Sequence, residues 1–280
     1  MGRTIRYTAP VVSLWAAALM VGEARGQGAG PLLVRVEDRT RSGARNKIVI
    51  RDPRSGADRE IYRSEGHLPY QAVPSLDGRY FSFIEVTSQV GAGARRLVII
   101  DSDGKVVRIL GQSAIHNDRG IRDHVWCCSP GMVALLTGGE GEMTRFEPDS
   151  VQIVDVRTGE IQSLAGLEKP GQIAWAGFDS SLYIQSRPGP TTPAPVYRYD
   201  PRTARVAPTS HRGIFFSPDG KYYFDKSPWT SSVGVYRSSD DRDMTAQISS
   251  TNERETGSAV LWMPSANHVL VFVEREPPRP

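Results

Sequence analysis

The stretch Gly213–Asp225, GIFFSPDGKYYFD, decides the fold class of this chain. Its Asp219-Gly220 pair is flanked on both sides by aromatic and β-branched residues. This is a strong local signal for a β-hairpin, because a tight hairpin turn needs residues that tolerate positive φ. The same arrangement of an apolar strand, a tight turn and a second apolar strand recurs in four other stretches: Ala72–Val86, Val125–Thr137, Ile173–Gln185 and Ala259–Val273.

A second type of hairpin alternates with the first. Its first strand ends in an apolar residue followed by aspartate, and its turn runs through glycine or a polar pair. The five copies are Lys47–Tyr62, Leu97–Leu110, Val151–Leu164, Val196–Pro208 and Val233–Ile248. Four aspartates occupy equivalent places, and we expect each to cap its own turn through its side chain. They are Asp52, Asp101, Asp155 and Asp200.

The spacing of the first-type hairpins predicts a repeat fold. Their turns begin 40 to 54 residues apart, at Ser75, Ser129, Gly177, Ser217 and Pro264. Two hairpins, or four strands, in each such interval make up the blade of a β-propeller. The fold class predicted from the repeat is therefore all-β.

One of these turns carries a more specific signature. Ser217–Lys221, preceded by the aromatic pair Phe215-Phe216, resembles the core of the WD40-like repeats in TolB-type propellers, and Leu76–Arg79 and Cys128–Gly131 resemble weaker copies. The resemblance covers roughly residues 47–273. It implies a β-propeller fold and an envelope protein as partner, but not which protein.

The order of the hairpins predicts how the propeller closes. A single second-type hairpin begins the series and a single first-type hairpin ends it. Joining these two halves gives five four-stranded blades and removes two exposed sheet edges. An alternative stays open, because Leu32–Val36 also has the pattern of a strand. If it pairs with the first hairpin, a sixth, incomplete blade results.

Composition and the N-terminus define the class of protein. Hydrophobic residues make up 39% and charged residues 23%, which is typical of a soluble globular chain. The net charge of +3, with charges of both signs interspersed, indicates neither nucleic acid nor an anionic membrane as a partner. Residues 1–24 combine a basic start, an apolar run and a small-residue end, which predicts a cleaved secretory signal peptide. Residues 25–46 would form an N-terminal segment, residues 47–280 the propeller, and the mature chain would be periplasmic or secreted without a membrane span.

The longest connections are predicted to meet at one end of the scaffold. Blade parity places the short hairpin turns at one end. The connections between second and third strands, together with those between one blade and the next, lie at the other. Loops on a rigid scaffold commonly carry function. Aromatic and arginine side chains dominate binding energies at interfaces. Arg145, Phe146 and Trp229 are such residues in these loops, and we expect them to bind a protein partner.

The inner ends of the blades offer a second candidate site. His124, His211 and Gln172 lie at nearly matched distances before the first-type turns, and could line a central channel as ligands for a metal ion or an anion. The alternative function is an enzyme with its site at the channel mouth. It is either a metal-dependent hydrolase or a glycan-acting enzyme, for which Asp123, Glu168 and Glu65 are the nearest carboxylates. Neither G-x-S-x-G nor H-E-x-x-H occurs, so no catalytic residue, cofactor or metal site is predicted. Cys127-Cys128 could either pack on opposite faces of a strand or form a disulfide.

Overall fold

The computed structural model describes residues 32–40, 43–52, 55–65, 67–87, 95–111, 120–138, 150–187, 194–217, 219–226, 233–244, 255–263 and 268–275. These residues form only strands and turns, arranged in six antiparallel sheets. The predicted all-β class is confirmed. Within the described ranges, no helix is long and apolar enough to cross a membrane.

Four of the sheets have four strands in chain order, as a meander of two hairpins requires. Sheet 2 contains β4 (His67–Pro74), β5 (Tyr80–Thr87), β6 (Arg95–Asp101) and β7 (Val106–Leu110). Sheet 3 contains β8 (Gly120–Trp126), β9 (Met132–Gly138), β10 (Ser150–Asp155) and β11 (Ile161–Ser163). Sheet 4 contains β12 (Pro170–Ala176), β13 (Ser181–Ser186), β14 (Val196–Asp200) and β15 (Arg205–Thr209). Sheet 5 contains β16 (Phe215–Phe216), β17 (Tyr222–Lys226), β18 (Val233–Arg237) and β19 (Arg242–Asp243).

The two remaining sheets come from the ends of the described chain. Sheet 1 contains β1 (Leu32–Thr40), β2 (Gly43–Arg51) and β3 (Asp58–Glu65), and sheet 6 contains β20 (Glu255–Met263) and β21 (His268–Arg275). In the described residues β1, and not the C-terminal hairpin, pairs with the free edge of β2. Because a strand has two edges and β3 occupies the other, the predicted junction of the terminal hairpins at β2 is not formed. This pairing is the one that the six-blade alternative requires, and the number of blades stays a prediction.

The hydrophobic core lies between successive sheets. Four buried clusters fill the interfaces between sheets 1 and 2, 2 and 3, 3 and 4, and 4 and 5. The middle strands are therefore buried on both faces, as in β13, where all six residues are buried. The outermost strands are mostly exposed; β15 carries arginine, proline and threonine there, whereas β7 exposes Val106, Val107 and Ile109. Charged and proline residues on such an edge discourage pairing with other chains.

The aspartate-capped turns form as predicted. Asp101 Oδ1 accepts hydrogen bonds from the backbone N–H groups of Asp103 (3.0 Å) and Lys105 (2.9 Å). Asp155 and Asp200 accept equivalent bonds from residues two positions later, at 2.7 and 2.9 Å. Asp52 accepts a bond from the Ser55 hydroxyl at 2.9 Å. The capping prediction is confirmed for all four aspartates.

The Ser-x-Asp-Gly turns of sheets 2 and 5 share the same side-chain hydrogen bonds. The hydroxyl of Ser217 donates to Asp219 Oδ1 (2.7 Å) and accepts from the backbone N–H of Tyr222 (3.0 Å). Ser75 makes the same two bonds at 2.7 and 2.9 Å. The glycines that follow, Gly78 and Gly220, have φ of 71° and 70°. They differ in surroundings, because Gly220 packs against the Phe178 ring and Gly78 faces open space.

This difference gives a matched pair of variants. Gly78→Ala is expected to lower the free energy of unfolding by about 1 kcal/mol, since an L-residue is strained at this φ. Gly220→Ala should lose about 1 kcal/mol more, because its new methyl group would displace the Phe178 ring. Urea denaturation of the two variants measures both values. Equal losses would mean that the ring moves aside without cost.

An arginine links the outer strands of two sheets. Arg108 on β7 donates from Nε to the Val156 carbonyl (2.7 Å) and from Nη2 to the Arg157 carbonyl (3.0 Å). Both acceptors lie in the turn after β10 of sheet 3. Gly159 of the same turn lies against the guanidinium, where a side chain would collide with it. The contact between sheets 2 and 3 therefore extends from the buried cluster to the outer strands.

Candidate functional site

The first strands of sheets 2 to 5 line the middle of the arrangement. β4 contacts β8, β8 contacts β12, and β12 contacts β16. Each of β4, β8 and β12 has an irregular register against its second strand, between Tyr70 and Val73, Ile121 and Asp123, and Pro170 and Gln172. Bulges of this kind re-aim side chains and recur beside functional sites. Asp123 and Gln172 directly follow two of them, a coincidence that the sequence pattern did not predict.

His124 is a buried, neutral histidine on β8. Its Nε2 lies 2.9 Å from the Ser82 hydroxyl of β5, in the preceding sheet. Its Nδ1 is buried and has no hydrogen-bond partner among the described residues. Burial lowers the pKa of His124 to about 4, although a hydrogen bond with the Ser82 backbone opposes the shift. One ring nitrogen is thus satisfied by the scaffold and the other remains for water or a ligand.

Asp123 is an acid with an elevated pKa beside this histidine. Burial raises the pKa of its carboxyl group to about 6, against the opposing effects of the His124 backbone N–H and the Arg122 charge. That N–H donates to Asp123 Oδ1 at 2.8 Å. A carboxyl group with such a pKa can exchange a proton near neutral pH, which is what a general acid or base requires.

Gln172 occupies the corresponding part of β12. The residue is half-buried, and its Oε1 is buried without a hydrogen-bond partner among the described residues. Oε1 can accept two hydrogen bonds. We refer to Asp123, His124, Gln172 and Ser82 as the inner-strand group, because all lie on the first or second strands of their sheets. The group offers an acid, an imidazole nitrogen and an amide oxygen.

His211 lies in a different environment from the inner-strand group. It follows β15, and its Nδ1 is 2.7 Å from Asp241 Oδ1, in the turn between β18 and β19. The Tyr223 hydroxyl donates to the same oxygen at 2.8 Å. Burial raises the pKa of Asp241, but the hydrogen bonds from Ser210, His211 and Tyr223 together outweigh it and leave that pKa below its usual range. The rings of Tyr183 and Phe216 pack against the imidazole, so His211 joins sheets 4 and 5.

The other predicted binding residues stay predictions. Arg145, Phe146 and Trp229 lie outside the described residues. Across the described ranges there is no group of three histidine, cysteine, aspartate or glutamate side chains that could hold a metal ion. His124 and His211 bond to separate partners in different sheets, and the ring of channel ligands that their spacing indicated is not tested further by these contacts.

Solved structures supply the comparison that decides the fold. The chain matches an oligogalacturonate lyase in complex with manganese, with a TM-score of 0.56 and 13% identity, over 76% of this chain and 60% of that one. This chain is a β-propeller. The propeller also matches the β-propeller domain of the Trilobed protease from Pyrococcus furiosus (TM-score 0.53, 14% identity, 88% of this chain and 75% of that one). It matches TolB from Acinetobacter baumannii as well (0.50, 16%, 77% and 50%).

These similarities concern the fold, and they bear out the resemblance to TolB-type propellers at that level. No protein-family model and no curated protein matches the propeller. Its length covers 60% of the lyase and half of TolB. One fold hosts many functions, so a function has to be argued from the residues of this chain.

Proposed function

We propose that this propeller is an exported binding module of the cell envelope that recognises a protein partner through its loop end. We define the loop end by the four connections between second and third strands, Thr87–Arg95, Gly138–Ser150, Ser186–Pro195 and Lys226–Ser232. The observation that carries the proposal is the contrast between this end and the opposite one, where the hairpin turns lie.

The hairpin-turn end is occupied by its own hydrogen bonds. Asp77, Asp101, Asp155, Asp200 and Asp219 each accept a bond from a backbone N–H of their own turn. Each of these carboxylates therefore holds its own turn in place. At Asp155 burial acts to raise the pKa, but the backbone hydrogen bonds from Thr158 and Arg157, together with the Arg157 charge, outweigh it and leave that pKa below its usual range. This end is therefore built for stability rather than recognition.

The loop end has the opposite character. Its connections differ in length and sequence from blade to blade, whereas the turns are short and alike. Arg145, Phe146 and Trp229 supply the residue types that most often anchor protein interfaces. Residues 1–24 support export, because their basic start, apolar run and small-residue end are those of a signal peptide. Export predicts that the protein recovered from the envelope fraction of its native cells begins near residue 25.

Site-specific photo-crosslinking tests which end binds. A photoreactive phenylalanine analogue is placed at Phe146 or Trp229, and as a matched control at Phe178, an exposed aromatic residue in the hairpin turn after β12. We expect one discrete protein adduct from the two loop positions and none from Phe178. The captured protein, once purified, should bind the wild type and lose at least about tenfold in affinity for a Trp229→Ala/Phe146→Ala variant. An adduct that forms equally from Phe178, or binding that the double variant retains, would contradict the proposal.

The alternative enzymatic function has one observation in its favour. The inner-strand group combines the elevated pKa of Asp123 with an unpartnered imidazole nitrogen, and a structurally similar protein is an oligogalacturonate lyase. Within the part of the chain that the structure describes, no group of three metal-ligating side chains accompanies it. The contrast between the loop end and the hairpin-turn end favours binding over this alternative.

A further inference from the structure

The two cysteines of the chain lie at a turn with their sulfur atoms in contact. Cys127 follows β8, and Cys128 begins the turn to β9. Their Sγ atoms are 2.9 Å apart, and both residues are thiols in this structure. A disulfide bond joins sulfurs about 2.0 Å apart, so closure needs a movement of about 1 Å.

The backbone at this point is already bent in the direction that closure needs. Cys128 has φ of 68°, a left-handed conformation that few non-glycine residues adopt. The Ser129 N–H donates to the Cys127 carbonyl at 2.7 Å, which tightens the chain around the pair. In a regular strand, consecutive side chains would point to opposite faces of the sheet. The turn instead brings both onto one side, so the alternative of two cysteines on opposite faces does not apply.

The two thiols differ in access. Cys127 is fully buried in the cluster between sheets 3 and 4, with Leu136, Leu182 and Tyr199. Burial raises the pKa of its thiol well above the ordinary value, and the hydrogen bond and charge of Cys128 add to this effect. Cys128 is half-buried at the surface of the turn. An external reagent therefore reaches the Cys128 thiol first, while the Cys127 thiol is shielded from it by burial.

We propose that Cys127 and Cys128 form a dithiol site that exchanges with a small disulfide and closes to a disulfide between the two neighbours. The Cys128 thiolate attacks one sulfur of the small disulfide RSSR, releasing RS⁻ and leaving a mixed disulfide. The Cys127 thiol then gives up its proton, and its sulfur attacks Cys128 Sγ and releases the second RS⁻. In sum, two protein thiols and RSSR give one protein disulfide and two RSH.

The same geometry makes the closed form easy to reduce. Neighbouring Cα atoms are about 3.8 Å apart, closer than the 4.4–6.8 Å that disulfides usually span. Strained disulfides have the higher reduction potentials and are the labile ones. The site is thus suited to reversible exchange rather than to permanent bracing of the fold. This inference is independent of the proposed binding partner.

Glutathione disulfide serves as the probe, on the purified protein of residues 25–280. Because the chain has two cysteines, thiol titration and intact mass report on this site alone. We expect both thiols to disappear, the monomer to lose the mass of two hydrogens, and dithiothreitol to restore both thiols. A chymotryptic peptide that contains both residues should carry the same loss. A glutathione adduct that persists on the wild type, a covalent dimer, or two thiols that survive excess reagent would overturn the proposal.

Single variants test the order of the two steps. Cys127→Ser should stop at a stable glutathione adduct on Cys128, because the second sulfur is gone. Cys128→Ser should react at least about tenfold more slowly, because the remaining thiol is buried and protonated. Equal rates in the two variants would refute the assigned roles. Should Cys127→Ser fail to fold, Cys127→Ala keeps the core contact apolar and gives the same readout.

Discussion

Replacing Arg96 with methionine is expected to lower the free energy of unfolding by about 3 kcal/mol, since it leaves a buried carboxylate uncompensated. Glu85 on β5 is fully buried, and Arg96 on the neighbouring β6 donates to its Oε2 from Nε (2.8 Å) and Nη2 (2.7 Å). The Tyr62 hydroxyl of sheet 1 donates to Oε1 at 2.7 Å. The Glu85 carboxylate therefore connects β5 and β6 of sheet 2 with β3 of sheet 1.

A double variant separates the charge from the packing. Glu85→Leu/Arg96→Met replaces the pair with apolar groups of similar size, and should recover most of the stability lost by Arg96→Met alone. Glu85→Gln keeps an acceptor for the Tyr62 hydroxyl, and its free energy of unfolding should lie between those of Arg96→Met and the double variant. Guanidinium denaturation curves give all three values. If Arg96→Met unfolds at the wild-type midpoint, water rather than the arginine compensates Glu85, and the contact is not a buried ion pair.

The second large effect is a pH dependence of the free energy of unfolding, to which the neighbouring residues Asp123 and His124 make opposite contributions. Above pH 6.5 His124 is neutral in both the folded and unfolded states. As the pH falls from 6.5 to about 4, His124 binds a proton in the unfolded chain but stays neutral in the folded state. This residue therefore lowers the stability of the folded state over that interval. Asp123 acts in the opposite direction. Between pH 6 and 3.8 the folded state binds a proton that the unfolded chain does not, which raises stability.

Replacing either residue should make the pH-dependent contribution of the other measurable. Relative to wild type, Asp123→Asn is expected to lose about 2 kcal/mol more between pH 6.5 and pH 4, because the compensating carboxyl group is gone. His124→Gln should lose about 3 kcal/mol less than wild type over the same interval, since it removes the buried base. Urea denaturation at a series of pH values measures these differences. Parallel curves for all three proteins would show that neither pKa is shifted.

The strands and turns of this propeller follow from local sequence, whereas the contacts of its inner-strand group do not. The sequence indicated Asp123, His124 and Gln172 as candidates, but not the bond between His124 and Ser82. The Asp-Gly turns, the aspartate caps and the alternating hairpins were all predictable, because each depends on residues within a few positions of one another. Some first strands begin earlier than the apolar pattern indicates: β8 begins at Gly120 rather than near Val125, through the polar residues Arg122 to His124. Apolar periodicity does not detect the part of a strand that is built from polar residues.

Hydrogen bonds between residues that are distant in sequence could not be predicted either, because local patterns carry no information about them. The bond between His211 and Asp241 joins residues 30 positions apart, and that between Tyr62 and Glu85 joins residues 23 apart. The register shifts in β4, β8 and β12 arise where the strands meet their neighbours, and no local signal marks them. Glu85 stands within an apolar strand, and only the packed sheets reveal why a charge is tolerated there.

Arg108 has a consequence for how this chain can change over evolutionary time. The arginine binds the carbonyl groups of Val156 and Arg157, which every amino acid possesses. Side chains in that turn can therefore drift without breaking the link, provided that position 159 stays without a side chain. A single arginine thus leaves the side chains of the neighbouring sheet's turn free to diverge. Adjacent blades can in this way stay attached while their sequences lose all likeness.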